Sequence, residues 1–140
     1  MGYIYCVERL NKGLHSSMPE IKLLTEINAP IAICFDLSRS IDLHKISTSE
    51  TSEEAIFGVT TGLIGLNEYV TWEAVHFGVK QKLTSKITAY ERPFHVADEQ
   101  IKGAFKYFRH THNFSELDGK SNDGRSIQFQ QSVWAIWKDF

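Results

Sequence analysis

The run from Lys102 to Phe114, Lys-Gly-Ala-Phe-Lys-Tyr-Phe-Arg-His-Thr-His-Asn-Phe, holds four aromatic rings and two histidines in a proline-free stretch opened by a glycine. It reads as a β-strand. Successive strand side chains point to opposite faces, so Phe108, His110, His112 and Phe114 share one face, and Tyr107, Arg109, Thr111 and Asn113 share the other. The first face is apolar with hydrogen-bonding imidazoles set into it, and the second is wettable. A sheet surface of that kind suits the wall of a small-molecule cavity better than a plain core.

The rest of the chain supplies the sheet. Ile21, Leu23 and Ile27 alternate with Lys22, Leu24 and Glu26, predicting a first strand that stops at Asn28-Ala29-Pro30. With Asn28 as cap and Pro30 in the first turn, a short helix is expected over Pro30 to Leu37, burying Ile33, Cys34 and Leu37. A second short helix follows over Ile41 to Ile46, capped by Ser40, with Asp42 near its positive end. Residues 47–54 read as a solvated connection. Gly58, Gly62 and Gly65 punctuate Ile56 to Leu66 as a bent, bulged strand. Their spacing has no following Lys-Ser/Thr and matches no nucleotide fingerprint.

Three further strands are expected. In Tyr69 to Phe77 the residues Val70, Trp72, Ala74 and His76 share a face. Lys80 to Tyr90 is the cleanest alternation, with Leu83, Ser85, Ile87 and Ala89 opposing Lys82, Thr84, Lys86 and Thr88. Arg92-Pro93 makes a turn into Phe94 to Gln100, and Leu117-Asp118-Gly119 carries hairpin chemistry. The order is one strand, two short helices, then an antiparallel meander.

A chain of 140 residues is one domain, able to bury roughly two-thirds of its unfolded surface. With 15 Lys and Arg against 17 Asp and Glu and no basic run, it lacks the footprint of a nucleic-acid binder. Cys6 and Cys34 lie far apart and suggest neither a disulfide framework nor a CxxC metal site, so reduced thiols are expected. The first ten residues are too charged and too short in apolar run for a signal peptide, and no stretch reaches membrane-spanning length. A cytoplasmic location is the expectation.

Read together, Ile27-Asn-Ala-Pro-Ile-Ala-Ile-Cys-Phe-Asp-Leu37, Trp72 with His76-Phe77-Gly78, Arg92-Pro93 and the run from Gly103 to Phe114 resemble the SRPBCC or START-like superfamily, in its bacterial cyclase/dehydrase-like branch. The resemblance covers residues 18–120, leaving 1–17 as an N-terminal extension and 121–140 as a tail. It implies an α+β helix-grip fold, a curved antiparallel sheet wrapped around a long C-terminal helix. The cavity between them would receive an apolar, lipid-, polyketide- or isoprenoid-like ligand, with no cofactor.

The tail departs from that pattern. Residues 121–140 lack both the gripping helix and the Pro-Phe-Gly step that precedes it. Codons permitted for Lys120 onward, read with one A removed from the Lys120–Ser121 run, spell Gly-Lys-Ala-Met-Met-Glu-Asp-Arg-Phe-Asn-Phe-Asn-Ser-Pro-Phe-Gly-Leu-Phe-Gly-Lys. That string resembles the family's last strand and the approach to its helix. The tail therefore reads as a frameshift product. Ile127 and Phe129 still alternate and would complete the sheet, while Val133, Trp134, Ile136 and Trp137 would cover part of the cavity, in the same subunit or in a partner. A homo-oligomer formed through the exposed sheet or the tail follows.

Candidate ligand contacts are Trp72, His76, Phe105, Phe108, His110, His112 and Phe114, each ring being equally open to a plain core role. His76, His110 and His112 are the acid–base candidates, with Glu73 and Tyr107 behind them. The same three histidines would suit zinc by type, but side chains at i and i+2 diverge and no short motif supports a metal, so none is assigned. Three functions follow: binding of an apolar small molecule, a polyketide cyclase/dehydrase activity using the cavity histidines, or an interaction module whose cavity is filled by its own side chains.

Overall fold

A computed structural model of the chain describes residues 4–7 and 19–131. One antiparallel sheet of eight strands runs in the order β1-β2-β8-β7-β6-β5-β4-β3. The strands are β1 (Ile4–Val7), β2 (Glu20–Ile27), β3 (Glu54–Gly58), β4 (Tyr69–His76), β5 (Val79–Glu91), β6 (His95–Lys102), β7 (Phe105–Leu117) and β8 (Lys120–Gln131). Helices α1 (Ile31–Ser38) and α2 (Ile41–Ser47) follow β2, and a single 3-10 turn spans Ser49–Thr51. This is the α+β helix-grip arrangement, a curved sheet with two short helices after its first long strand.

The lead segment contributes β1, an edge strand that the sequence reading did not assign. Beyond residue 120 the backbone continues as β8, paired to β2 on one side and β7 on the other. The alternation through Ile127 and Phe129 thus completes the sheet. Val133, Trp134, Ile136 and Trp137 lie outside the described residues, and among those described no helix exceeds the eight residues of α1.

Turn chemistry sets the hairpins. Asp118 and Gly119 both take positive φ, 53° and 75°, matching the twist of the β7–β8 strands they join. Gly58 has φ 78°, and a Cβ there would collide with the Tyr69 carbonyl oxygen, so the end of β3 tolerates only glycine. The glycine-rich run is shorter as a strand than expected. β3 bulges between Ala55 and Phe57 and stops at Gly58, and the chain then loops back to bridge Leu63 to Ser40.

Helix α1 is rotated from its expected orientation. Cys34 and Phe35 are buried, whereas Ile33 and Leu37 are half exposed, and Pro30 rather than Asn28 holds the cap position. Phe35 is wholly buried and meets Tyr90 and Phe114 edge-on, with ring centroids 5.3 and 5.9 Å away. In α2 the Ser40 hydroxyl accepts a hydrogen bond from the Leu43 amide at 3.2 Å, as the sequence predicts.

Two bulges change which side chains face inward. In β5 the register shifts between Ile87 and Ala89, so Tyr90 rather than Ala89 faces the core, opposite Val96. In β7 it shifts between Phe105 and Tyr107, which brings Phe105 alongside Phe108 in a stacked pair at 5.6 Å. Strict alternation would have put these two rings on opposite faces.

Asp36 ties α1 to the sheet. Arg92 donates to both its carboxylate oxygens at 3.0 and 2.7 Å, and Arg39 donates to Oδ1 at 3.2 and 3.0 Å. The Arg92 hydrogen bonds, aided by Arg39 and opposed by burial, lower the Asp36 pKa to about 2. A lowered folded-state pKa gives stability that is complete above the ordinary carboxylate value and is lost as pH falls toward 2. Asp36→Asn should therefore cost about 1 kcal/mol at pH 6, the scale of a solvent-screened ion pair. In urea titrations the gap between the two proteins should shrink progressively below pH 4, and a gap independent of pH would remove the role given to this pair.

Candidate functional site

Between the concave sheet face and the α1–α2 layer lies a cavity of about 220 Å³. Ile41, Ile64, Val70, Trp72, Ile87 and Val96 supply its apolar wall, and all six are buried core residues. A smaller pocket of about 100 Å³ adjoins it, sharing Glu53, Trp72 and Leu83.

Among the polar groups of this wall are histidines that each stand beside a carboxylate, with Ser38, Arg39, Ser40 and Ser85 besides. His110 on β7 sits directly opposite Asp98 on β6, with Nδ1 3.2 Å from Asp98 Oδ1. His112 Nδ1 lies 2.8 Å from Asp123 Oδ2 on β8. The two imidazole centroids are 4.6 Å apart in an edge-to-face arrangement, and His112 stacks on Phe114. Across the cavity His44 Nε2 is 3.4 Å from Glu53 Oε2, and the His44 ring lies 4.3 Å from that of Trp72. Burial pushes the Glu53 carboxyl up, but the hydrogen bond and charge of His44, with Thr48 and His76, outweigh it and hold the group below its ordinary value.

A carboxylate at Nδ1 fixes the tautomer of a neutral imidazole. The ring donates Nδ1–H and keeps its lone pair on Nε2. That holds for His112, whose Nδ1 is hydrogen-bonded to Asp123, while the Nε2 of His110 is buried without a hydrogen-bond partner.

Of the residues singled out from sequence, Trp72, Phe108, His110 and His112 line the main cavity. His76 and Phe105 line the smaller pocket, and His76 is exposed at the end of β4, apart from the other two histidines. Phe114 belongs to the core beneath the site. Glu73 pairs with Lys80 and Lys82, and the Tyr107 hydroxyl lies 3.5 Å from Glu99 on the outer face. The sequence reading missed His44, Glu53, Asp98 and Asp123. Only Asp98 carried a usable signal, since counting back across the Gly103 turn brings it opposite His110. Cys34 is a free, buried cysteine.

No family model and no curated protein matches the sequence. Among solved structures the chain is similar to TTHA0849 from Thermus thermophilus, at 16% identity and a TM-score of 0.65, covering 86% of this chain and 82% of that one. It is also similar to Ara h 8.0201, at 15% identity and a TM-score of 0.61, with 88% and 87% covered. A third likeness is to ginseng major latex-like protein 151 from Panax ginseng, at 13% identity and a TM-score of 0.62, with 84% and 83% covered. Identities this low establish a shared fold, in agreement with the START-like resemblance read from the sequence. No helix of the described residues is long and apolar enough to cross a membrane.

Proposed function

We propose that the protein binds an apolar small molecule in the cavity between its sheet and helices. The observation carrying this reading is a space of about 220 Å³ with a largely apolar wall and a few convergent polar groups, the composition expected of a ligand site. An engineered apolar cavity of about 150 Å³ takes up benzene, so this space suits a molecule of about two fused rings. The ligand contacts would be Trp72, Phe108, His110 and His112, with Phe105 and His76 at the adjoining pocket.

The paired imidazoles favour a second reading, a cyclase/dehydrase-type reaction. His110 lies 3.2 Å from the Asp98 carboxylate on the neighbouring strand, a charge that would stabilise an imidazolium formed at that ring. Loss of turnover in His110→Gln, with ligand affinity kept, would separate catalysis from binding.

The tail from Ser121 onward is read as the product of a one-base shift at Lys120, and the protein as a homo-oligomer that covers its apolar surfaces. Ile33, Leu37, Leu43 and Ile46 on the helices, all exposed, supply part of that surface. Native mass spectrometry tests ligand and assembly together. A dimer or larger species carrying extra mass that organic solvent removes is expected. A ligand-free protein from several hosts would count against the first reading, and a clean monomer at micromolar concentration against the second.

A further inference from the structure

One end of the sheet differs in charge from the rest of the chain. There the β4–β5 hairpin runs beyond its neighbours: Ala74, Val75 and His76 pair with Gln81, Lys80 and Val79, while β3 pairs β4 no further than Glu73 and β6 pairs β5 no further than Thr84. The hairpin thus ends as a free two-stranded ribbon roughly 10 Å long. The β6–β7 turn, Gly103-Ala104, lies at the same end. Residues 75–82 and 101–106 together hold four lysines, Lys80, Lys82, Lys102 and Lys106, and no carboxylate, in a chain whose net charge is -2. Lys80 and Lys82 share the Glu73 carboxylate at 3.3 and 3.6 Å. Lys102 and Lys106 are exposed and have no ion pair among the described residues.

The ribbon is tipped by an aromatic ring. Phe77 and Gly78 form its two-residue turn, with φ of 50° and 75°. Both positions of such a turn favour glycine, asparagine or aspartate, and a bulky side chain at positive φ strains the backbone. The fold offers Phe77 no packing in return, since it is 97% exposed. Val75, Val79 and Ile101 near it are exposed as well.

A strained ring that packs on nothing in its own chain points to a partner. The ribbon is too slight for a specific protein interface, which buries about 800 Å² on each side, whereas a bilayer needs only an apolar tip and a basic rim. Acyl chains would take up the ring, lysine stems would lie along the apolar boundary, and their ammonium groups would meet headgroup phosphates. The smaller pocket is lined from the same two elements, by His76, Gln81, Lys82, Ala104 and Phe105. Resting on the cavity reading above for its purpose, we infer that the protein docks by this end on an anionic lipid bilayer, with Phe77 inserted and the four lysines on the headgroups, so that the pocket faces the source of its apolar ligand.

Sedimentation of the full chain with vesicles tests this, using phosphatidylcholine alone or with about 30% phosphatidylglycerol. Binding to the anionic vesicles should be at least about ten-fold stronger than to phosphatidylcholine, and should weaken in roughly 0.5 M salt. Phe77→Asn should lower it about ten-fold, with a urea midpoint at or above that of the parent, because asparagine suits the positive φ of the turn better. Lys102→Glu/Lys106→Glu should lower binding to the anionic vesicles by a similar factor. Leu117→Ser, an exposed apolar site at the opposite end of the sheet, should change nothing. No vesicle binding, equal binding to both kinds of vesicle, or parent-like binding by Phe77→Asn would overturn the docking and leave the cavity reading intact. If vesicles go unbound and Phe77→Asn turns an oligomer into a monomer, the tip is a contact between copies and the docking is likewise overturned. Vesicle binding that follows these variants supports the docking even where no ligand is found, which separates it from the cavity reading.

Discussion

Replacing Phe35 with alanine should destabilise the protein by about 3 to 5 kcal/mol, the range for removing a fully enclosed ring that its surroundings cannot collapse to fill. Phe35 is wholly buried, and it is the point where α1, β5 and β7 meet, through Tyr90 and Phe114. Both ring contacts are edge-to-face, the arrangement in which aromatic pairs add stability beyond the area they bury. Arg39 lies 6.0 Å from the Phe35 centroid, so the variant also loses part of the packing that holds this guanidinium. The matched control is Ile33→Ala in the same helix, where the side chain is half exposed and a change of no more than about 0.5 kcal/mol is expected. Urea midpoints of the two variants decide the orientation of α1. Equal losses, or a larger loss at Ile33, would restore the orientation read from sequence and remove Phe35 from the centre of the core.

That comparison also shows what a one-dimensional pattern conveys. The inward face of β7 was legible because Phe108, His110, His112 and Phe114 repeat every second residue without interruption. The β7–β8 hairpin was legible because Asp-Gly suits two consecutive positive φ angles. Helix α1 was not, since nearly all of its residues are apolar and an eight-residue helix with apolar side chains all round carries no direction in its sequence. Tyr90 and Phe105 were displaced from their expected faces by bulges, which insert one residue and reverse the parity of everything beyond. Glu53 lay in a run of Ser, Thr and Glu that reads as solvated, and only the fold carries it to His44. The site was thus half visible: its rings and imidazoles stood out, and the carboxylates beside them did not.

The double variant Asp123→Met/Arg125→Asp should gain roughly 2 to 4 kcal/mol, from two buried polar groups each costing about 1 to 3 kcal/mol while unsatisfied. Among the described residues the buried side-chain atoms without hydrogen-bond partners are His110 Nε2, Asp123 Oδ1 and Arg125 Nε. The first belongs to His110, a residue of the cavity wall. The other two belong to β8, beyond the position where the reading frame is proposed to slip. Register explains why they fit poorly, since Asp123 stands opposite Phe114 and Arg125 opposite His112. The alternative frame puts methionine at position 123, an apolar partner for a buried ring, and aspartate at position 125, a carboxylate directly across from an imidazole. It also puts phenylalanine at position 127 and keeps the phenylalanine at 129, so the inward positions at this end of the strand would all be aromatic. A reading frame unrelated to this sheet has no reason to supply the residues its register needs at these sites. Asp123→Met alone should gain less than the pair, because it leaves His112 Nδ1 without its acceptor. A double variant that unfolds at lower urea than the parent, or an independent clone with the same number of bases in the run at codon 120, would show that the tail is native.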